Sequence, residues 1–304
     1  MPGPKPTRAV ALALALAFLA AACGSDSDEA ASTTTKAGAV TTAKAAGVAV
    51  PAGSTVEALQ KKGKLVVGTK FDQPLFGLKN PTTGDVEGFD VEIAKLVATA
   101  LYGSDLKGKV EYVEAVSRVR EDYIKDGKVD LVAATYTIND TRKQVVDFAG
   151  PYYVAGQDIL VKKDNTTIKG VNDLNGKKVC SVTGSTSLKN IQEKAPQADV
   201  SIVFDKYSLC RDAMLDGRVD AVSTDNVILL GLVQETPDKV KLVGVPFTTE
   251  PYGIGLKKGD TALRTFVNDV LEASYKDGSW KKAWDATAGK VQPAPEPPKV
   301  DRYP

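Results

Sequence analysis

No histidine occurs anywhere in the chain. That absence removes the Ser-His-Asp triad, the Cys-His pair, the HExxH zinc site and the Cys2His2 finger together. Charge of one sign is also lacking in excess: 39 Lys+Arg against 38 Asp+Glu leave a formal net charge of +1. So even a balance argues against wrapping nucleic acid by phosphate neutralisation. Cysteine is scarce, with three among 304 residues. What is present, 43% hydrophobic and 25% charged residues, is the composition of a globular protein of one large domain or two ordinary ones.

The longest apolar run lies at the start, over the fourteen residues 9–22, behind Lys5 and Arg8. A helix needs about 20 such residues to cross a hydrocarbon core of ~30 Å. A positive start, a short apolar run and small residues at its end read instead as a secretory signal over 1–22. The run stops at Leu19-Ala20-Ala21-Ala22-Cys23-Gly24, which resembles a bacterial lipobox, where the cysteine takes lipid and becomes the new N-terminus. The usual Leu three places before the cysteine is Ala20 here, with Leu19 one place early. Read so, Cys23 anchors the chain to the outer face of the cell membrane; a plain cleaved signal with a chance cysteine is the alternative. Residues 24–54 are rich in Ala, Thr, Ser, Lys and Gly, with no aromatic residue. They cannot bury enough surface to offset ordering entropy, so 23–55 is read as a lipidated Cys and flexible tether. Residues 292–304 carry five prolines in thirteen positions and are read as an extended or disordered tail. Cys180 and Cys210 remain, and an exported chain can pair them; two buried thiols are the other option.

Between these ends the pattern is α/β. Leu65-Val66-Val67-Gly68 reads as a buried strand. Ile93, Leu96, Val97, Ala100 and Leu101 then fall on one helical face behind Asp90, and Gly103 ends that helix. Val110 to Val113 reads as the next strand. An echo follows: a helix, then Asp126-Gly127-Lys128-Val129-Asp130 and a strand, recurs as Asp216-Gly217-Arg218-Val219-Asp220. Two such units suggest two lobes of like construction. A late strand over 252–256 and a helix carrying Leu263, Phe266, Val267, Val270 and Leu271 are expected to return to the first lobe.

Ligands of open α/β sheets sit at the carboxyl ends of the strands. Those ends carry Thr69-Lys70, Ala134-Thr135-Tyr136-Thr137, Gly184-Ser185-Thr186 and Thr224-Asp225, a set suited to a small zwitterion. The guanidinium fork of Arg142 matches a carboxylate bidentately. The turn at Gly184, Ser185 and Thr186 offers free N–H groups at a helix start. Asp225 can accept from an ammonium, with Thr135 and Thr137 completing its hydrogen bonds. Lys70, Ser117 and Arg120 remain for the ligand's side chain. Each signal alone is commonplace; their convergence at the strand ends of two echoing lobes is not.

Gly68-Thr69-Lys70, Gly88-Phe89-Asp90-Val91-Glu92-Ile93, the stretch from Val129 to Arg142, Phe148-Ala149-Gly150-Pro151-Tyr152-Tyr153, Val182-Thr183-Gly184-Ser185-Thr186 and Tyr252-Gly253-Ile254 resemble the polar amino-acid-binding proteins of ABC importers, the glutamate-binding lipoproteins in particular. The resemblance implies a two-lobe periplasmic-binding-protein-like fold of type II with two crossing hinge strands. It implies lobe 1 over 56–153 and again over 248–291, lobe 2 over 154–247, and a hinge near Tyr153–Ala155 and Phe247–Tyr252. It places the α-carboxylate on Arg142, the ammonium on Asp225, and the Ser-x-x-Arg of acidic-amino-acid binders on Ser117 and Arg120. Cys180 and Cys210 fit the same subgroup. Lys70 and Arg120 beyond Arg142 favour a ligand with a second carboxylate, L-glutamate, with aspartate, glutamine and asparagine as neighbours of that choice. The implied partners are an ABC permease and the membrane, through the lipid anchor. No nucleic acid, metal or organic cofactor is implied, and the protein is expected to be a monomer. Where many members keep a histidine this chain has Thr224, so capture is expected to show no titration near the ~6.5 of a free imidazole. Rival readings are an amino-acid sensor for a membrane signalling partner and, on the same fold, a dehydratase.

Overall fold

The computed structural model describes Gly3 and residues 48–303. The signal segment apart from Gly3, the lipidated Cys23 and the tether up to residue 47 lie outside the described residues. Residues 48–54, read as tether, belong to the folded body: Val48 and Val50 pack on the core, and Ser54 caps helix α1 (Thr55–Lys62) by accepting from the Glu57 N–H.

Strand β1 (Leu65–Thr69) follows α1, then a small meander of β2 (Asp72–Gln73), β3 (Gly77–Lys79) and β4 (Val86–Glu87). Helix α2 (Phe89–Tyr102) buries Ile93, Val97, Ala100 and Leu101, the apolar face expected from their spacing. Asp90 does not precede this helix; it stands in its first turn, fully buried, with Gly88 at the cap. The chain continues through β5 (Val110–Glu114), a turn of 3-10 helix (Ser117–Val119), α3 (Arg120–Lys125), β6 (Leu131–Val132), α4 (Asp140–Lys143) and the long β7 (Val146–Ala155).

A second series then runs β8 (Gln157–Lys162), β9 (Val179–Val182), α5 (Thr186–Lys194), β10 (Val203–Phe204), α6 (Tyr207–Leu215), β11 (Ala221–Asp225), α7 (Asn226–Glu235) and β12 (Val240–Leu242). The chain closes with β13 (Glu250–Lys257), α8 (Thr261–Asp277) and α9 (Ser279–Ala286). The sheets have the orders β5-β1-β6-β13-β7 and β10-β9-β11-β8-β12. In each, three parallel strands are followed by one antiparallel neighbour. This is the two-lobe type II binding-protein fold, and β7 and β13, paired antiparallel on both sides of an irregularity at Gly253, are its crossing strands.

The sequence echo has a structural counterpart. Asp130 accepts from the Val66 N–H at 2.7 Å, and Asp220 accepts from the Lys178 N–H at 2.8 Å. Each acid ties the loop after its helix to a neighbouring parallel strand, β1 in one lobe and the start of β9 in the other, a task that both copies of Asp-Gly-[Lys/Arg]-Val-Asp share. In the second lobe, Cys180 on β9 and Cys210 on α6 form a disulfide. Closing a loop of 30 residues stabilises by about 3–4 kcal/mol in the chain-entropy model.

The proline-rich tail corrects its sequence reading. Among its described residues there is no helix or strand, as prolines dictate, yet it is docked on lobe 1. The Asp301 N–H donates to the Gly150 carbonyl at 2.8 Å, Tyr303 Oη accepts from the Phe148 N–H at 2.7 Å, and Val300 is buried. Both bonds fall on β7, the edge strand of its sheet. An open edge is a hazard that proteins cover, and this composition reads as unfolded only because its docking partner lies more than a hundred residues away in sequence.

Candidate binding site between the lobes

The carboxyl ends of the strands of both sheets meet across a closed cleft. Around about 230 Å3 of atom-free space stand Ser117, Arg120, Thr135, Thr137 and Arg142 from the first lobe. Ser185, Thr186, Thr224 and Asp225 face them from the second. Lys70 stands behind this wall and donates to Ser117 Oγ at 2.9 Å. The residues chosen from strand ends are therefore brought together, although their tasks are not equally open.

Local geometry explains each placement. Lys70 is the residue after β1, and Ser117 and Arg120 open the turn after β5. Arg142 sits in α4, where the Asn139 side chain caps the helix by accepting from the Arg142 N–H at 2.9 Å. Its guanidinium donates to the carbonyls of Thr137 (2.7 Å) and, across the cleft, Gly184 (3.3 Å), while Nε stands 3.3 Å from Glu121. Gly184 has φ +76°, and a side chain there would meet the Arg118 backbone of the other lobe at 2.7 Å. Ser185 caps α5, its hydroxyl accepting from the Leu188 N–H and donating to the Val182 carbonyl. What this turn can still present is the N–H end of the helix, since the Ser185 hydroxyl is spent. Thr135, strained at φ +45°, directs its hydroxyl to Gln73 Oε1 and the Ala134 carbonyl, and its N–H to Asp90. Its side chain is thus occupied within lobe 1.

Ser187, Tyr207 and Ile228 also line the cavity and were not singled out. Ser187 and Ile228 lie within the first turn after residues that were, so helical spacing would have found them. Tyr207 opens α6 just beyond β10, a short strand whose end was not considered. Direct bonds hold the lobes together around the cavity. Arg118 meets Asp205 bidentately at 2.8 and 2.9 Å, Lys206 meets Glu114 at 2.6 Å, and Asp72 accepts from the Tyr207 N–H at 3.0 Å.

The electrostatics are lopsided. Lys70, Arg120 and Arg142 are all buried on the lobe 1 side. Arg120 donates only to the carbonyls of Ser117 and Ala134 and lies 4.1 Å from the centre of the Tyr136 ring. Among the described residues neither Lys70 nor Arg120 has a carboxylate within ion-pair distance. Burial, and then Arg120, push the Lys70 ammonium down to about 7. Burial and Arg120 also lower Arg142, to about 10, where it remains charged at neutrality. Burial and the neighbouring Glu250 carboxylate raise Asp225 to about 7, against a hydrogen bond from Tyr252 that lowers it. Asp90, bound by Tyr152 and the Thr135 N–H, is likewise raised to about 7 by burial.

These groups argue against the expectation that a pocket without histidine has no titration near neutrality: burial moves lysine down and aspartate up, toward the range that imidazole would have occupied. The sign of the effect follows. A ligand ammonium needs ionised Asp225, which is lost as pH falls through about 7. A ligand carboxylate needs charged Lys70, which is lost as pH rises through about 7. Affinity for an acidic amino acid is therefore expected to peak near neutrality and to fall on both sides, by at most about tenfold per pH unit per proton. A neutral amide ligand should lack the alkaline limb. Calorimetry across pH checks this, and a flat profile for glutamate would contradict it.

The molecule has known relatives. A model of the bacterial extracellular solute-binding proteins, family 3, matches residues 65–286. The chain is 43% identical over 231 residues to the ABC transporter glutamine-binding protein GlnH of Bacillus subtilis (strain 168), covering 76% of this chain and 83% of that one. It is 39% identical over 240 residues to the glutamate-binding protein GluB of Corynebacterium glutamicum, covering 76% and 80%. Among solved structures, an ancestral arginine-binding protein bound to glutamine aligns with a TM-score of 0.68 at 40% identity, covering 75% of this chain and 98% of that one.

Proposed function

Since the chain belongs to the bacterial extracellular solute-binding proteins of family 3, we propose that it captures L-glutamate outside the cytoplasm and delivers it, as a monomer, to an ABC permease. The observation that carries the choice of ligand is a set of three buried cations: Arg120 and Arg142 line the cavity across from Asp225, and Lys70 stands behind them, bonded to the Ser117 hydroxyl of the cavity wall. A buried charge is costly until it is paired. A glutamate zwitterion brings two carboxylates and one ammonium, which matches that set: α-carboxylate on Arg142 and the start of α5, ammonium on Asp225, side-chain carboxylate beside Lys70, Ser117 and Arg120. Glutamine would leave Lys70 and Arg120 uncompensated. Curated relatives carrying each ligand in their names make this the decisive distinction.

The lobes close by bending at β7 and β13, and ligand contacts to both lobes favour the closed form. A thermal-shift panel of the twenty amino acids tests the proposal, because a ligand that binds only the folded protein raises its melting temperature. L-Glutamate is expected to give the largest rise; no rise with any polar amino acid would overturn the capture role.

Anchoring at Cys23 is the second part of the proposal, and it rests on the apolar run that ends at that residue. Cys23→Ala should move the exported protein from the membrane fraction to the medium. Its retention at the membrane would refute the anchor.

A further inference from the structure

We propose that Tyr252 is the positioning residue of the ammonium subsite: its hydroxyl holds one oxygen of Asp225 so that the other is presented to the ligand. This rests on the reading of Asp225 as the acceptor for the ligand's ammonium.

Tyr252 is fully buried on crossing strand β13, and three attachments fix its backbone. It pairs with Tyr153 on β7 and bridges to Thr137 of the cavity wall, and the next residue, Gly253, donates to the Tyr136 carbonyl at 2.9 Å. Its ring is wedged between Phe76, Tyr152 and Tyr153, with centroids 5.7 to 6.3 Å away. A ring held on all sides delivers its hydroxyl to a set point. That point is Asp225 Oδ2, which accepts the phenolic proton at 2.5 Å.

The other oxygen tells the rest. Asp225 Oδ1 is buried and has no hydrogen-bond partner among the described residues, although Asp225 lines the cavity. Buried polar atoms are nearly always satisfied, so an orphan at a binding cavity marks a place for a ligand atom. A phenol has a single proton to give. Spent on Oδ2, it stops the carboxylate from rotating and leaves Oδ1 for the incoming N–H. The same bond ties the acid of lobe 2 to the crossing strand of lobe 1.

The charged and titratable groups around Asp225 are Glu250 of the same crossing strand, Arg142 and Arg120 of lobe 1, and the phenols of Tyr207 and Tyr153. Glu250 and burial favour protonated Asp225; the two arginines and the Tyr252 hydrogen bond favour the ionised form. Of these groups, Tyr252 alone is in hydrogen-bond contact with the carboxylate. Removing its hydroxyl therefore has a directional signature, an upward move of the Asp225 titration, which loss of packing would not produce.

The experiment is the dissociation constant of L-glutamate from about pH 5.5 to about pH 9 for the intact protein and three variants. Tyr252→Phe is expected to weaken binding about 10- to 100-fold at neutrality, to move the acid limb to higher pH and to leave the alkaline limb in place. Tyr275→Phe is the control, since that hydroxyl donates to the Pro151 carbonyl on the other crossing strand and not to Asp225; both limbs should stay. Asp225→Asn should abolish the acid limb. An unmoved acid limb in Tyr252→Phe, with Asp225→Asn behaving as expected, would overturn the positioning role alone. Full affinity in Asp225→Asn would overturn the site reading beneath it. Equal shifts in Tyr252→Phe and Tyr275→Phe would assign the effect to packing and also overturn the inference. Should Tyr252→Phe fail to fold, the phenolic proton is read in the wild-type protein as a downfield, slowly exchanging NMR resonance. It must disappear in Asp225→Ala, which leaves no acceptor at that place, and its persistence there would refute the bond.

Discussion

Arg142→Ala is expected to weaken L-glutamate binding by more than about 2 kcal/mol, roughly 30-fold or more, without unfolding the protein. The residue is 7% exposed, and its side chain already spans the cleft, with donors on the Thr137 and Gly184 carbonyls. Those carbonyls orient the guanidinium and leave its remaining donors for a carboxylate. Loss of the fork removes charge-assisted bonds and leaves the ligand's α-carboxylate buried against the start of α5 alone. Arg142→Lys should recover only part of the loss, because a point charge cannot reproduce a bidentate contact. Because every amino acid carries an α-carboxylate, the loss should be similar for glutamate and glutamine. Calorimetry on both ligands checks this; unchanged affinity in Arg142→Ala would remove Arg142 from the site.

Lys70→Met combined with Arg120→Met should do the opposite and separate the two ligands. Glutamate is expected to lose about 3 kcal/mol or more, some 100-fold, since its side-chain carboxylate would be buried with no cation. Glutamine should lose less than about tenfold, about 1.4 kcal/mol. The ligand-free protein should not be destabilised and should melt at the same temperature or higher. Two buried cations without carboxylate partners cost desolvation in the empty protein, and well-packed apolar replacements remove that cost. Equal losses for both ligands would argue that the amide is the natural one.

Much of the architecture was legible because periodicity reports burial. The spacing of Ile93, Val97, Ala100 and Leu101, and of Leu263, Phe266, Val267, Val270 and Leu271, marks the buried faces of α2 and α8. The repeated Asp-Gly-[Lys/Arg]-Val-Asp marks the same loop-to-strand bond in each lobe. Most of the cavity wall follows from one rule, that strand ends face the ligand: Thr135, Thr137, Ser185, Thr186 and Asp225 lie at such ends, with Arg142 just beyond, whereas the role of Ser117 and Arg120 comes from the resemblance.

Other features depend on approaches between distant residues, to which sequence is blind. Nothing near Tyr252 signals that its hydroxyl meets Asp225, 27 residues earlier. Nothing near the five prolines of the tail signals a buried Val300 or a bond to Phe148. The Thr135 side chain suits a ligand ammonium by its chemistry, whereas Gln73 and the Ala134 carbonyl engage its hydroxyl. A count of histidines is also blind to burial, which moves the Lys70 ammonium down and the Asp225 carboxyl up, each to about 7.

The most direct test of the account is calorimetric titration of the purified protein with L-glutamate and L-glutamine, in parallel, near neutral pH. Three buried cations against one cavity acid predict that glutamate binds at least about tenfold tighter, with the preference lost in the Lys70→Met, Arg120→Met variant. Tighter binding of glutamine, or equal binding of the two, would contradict it.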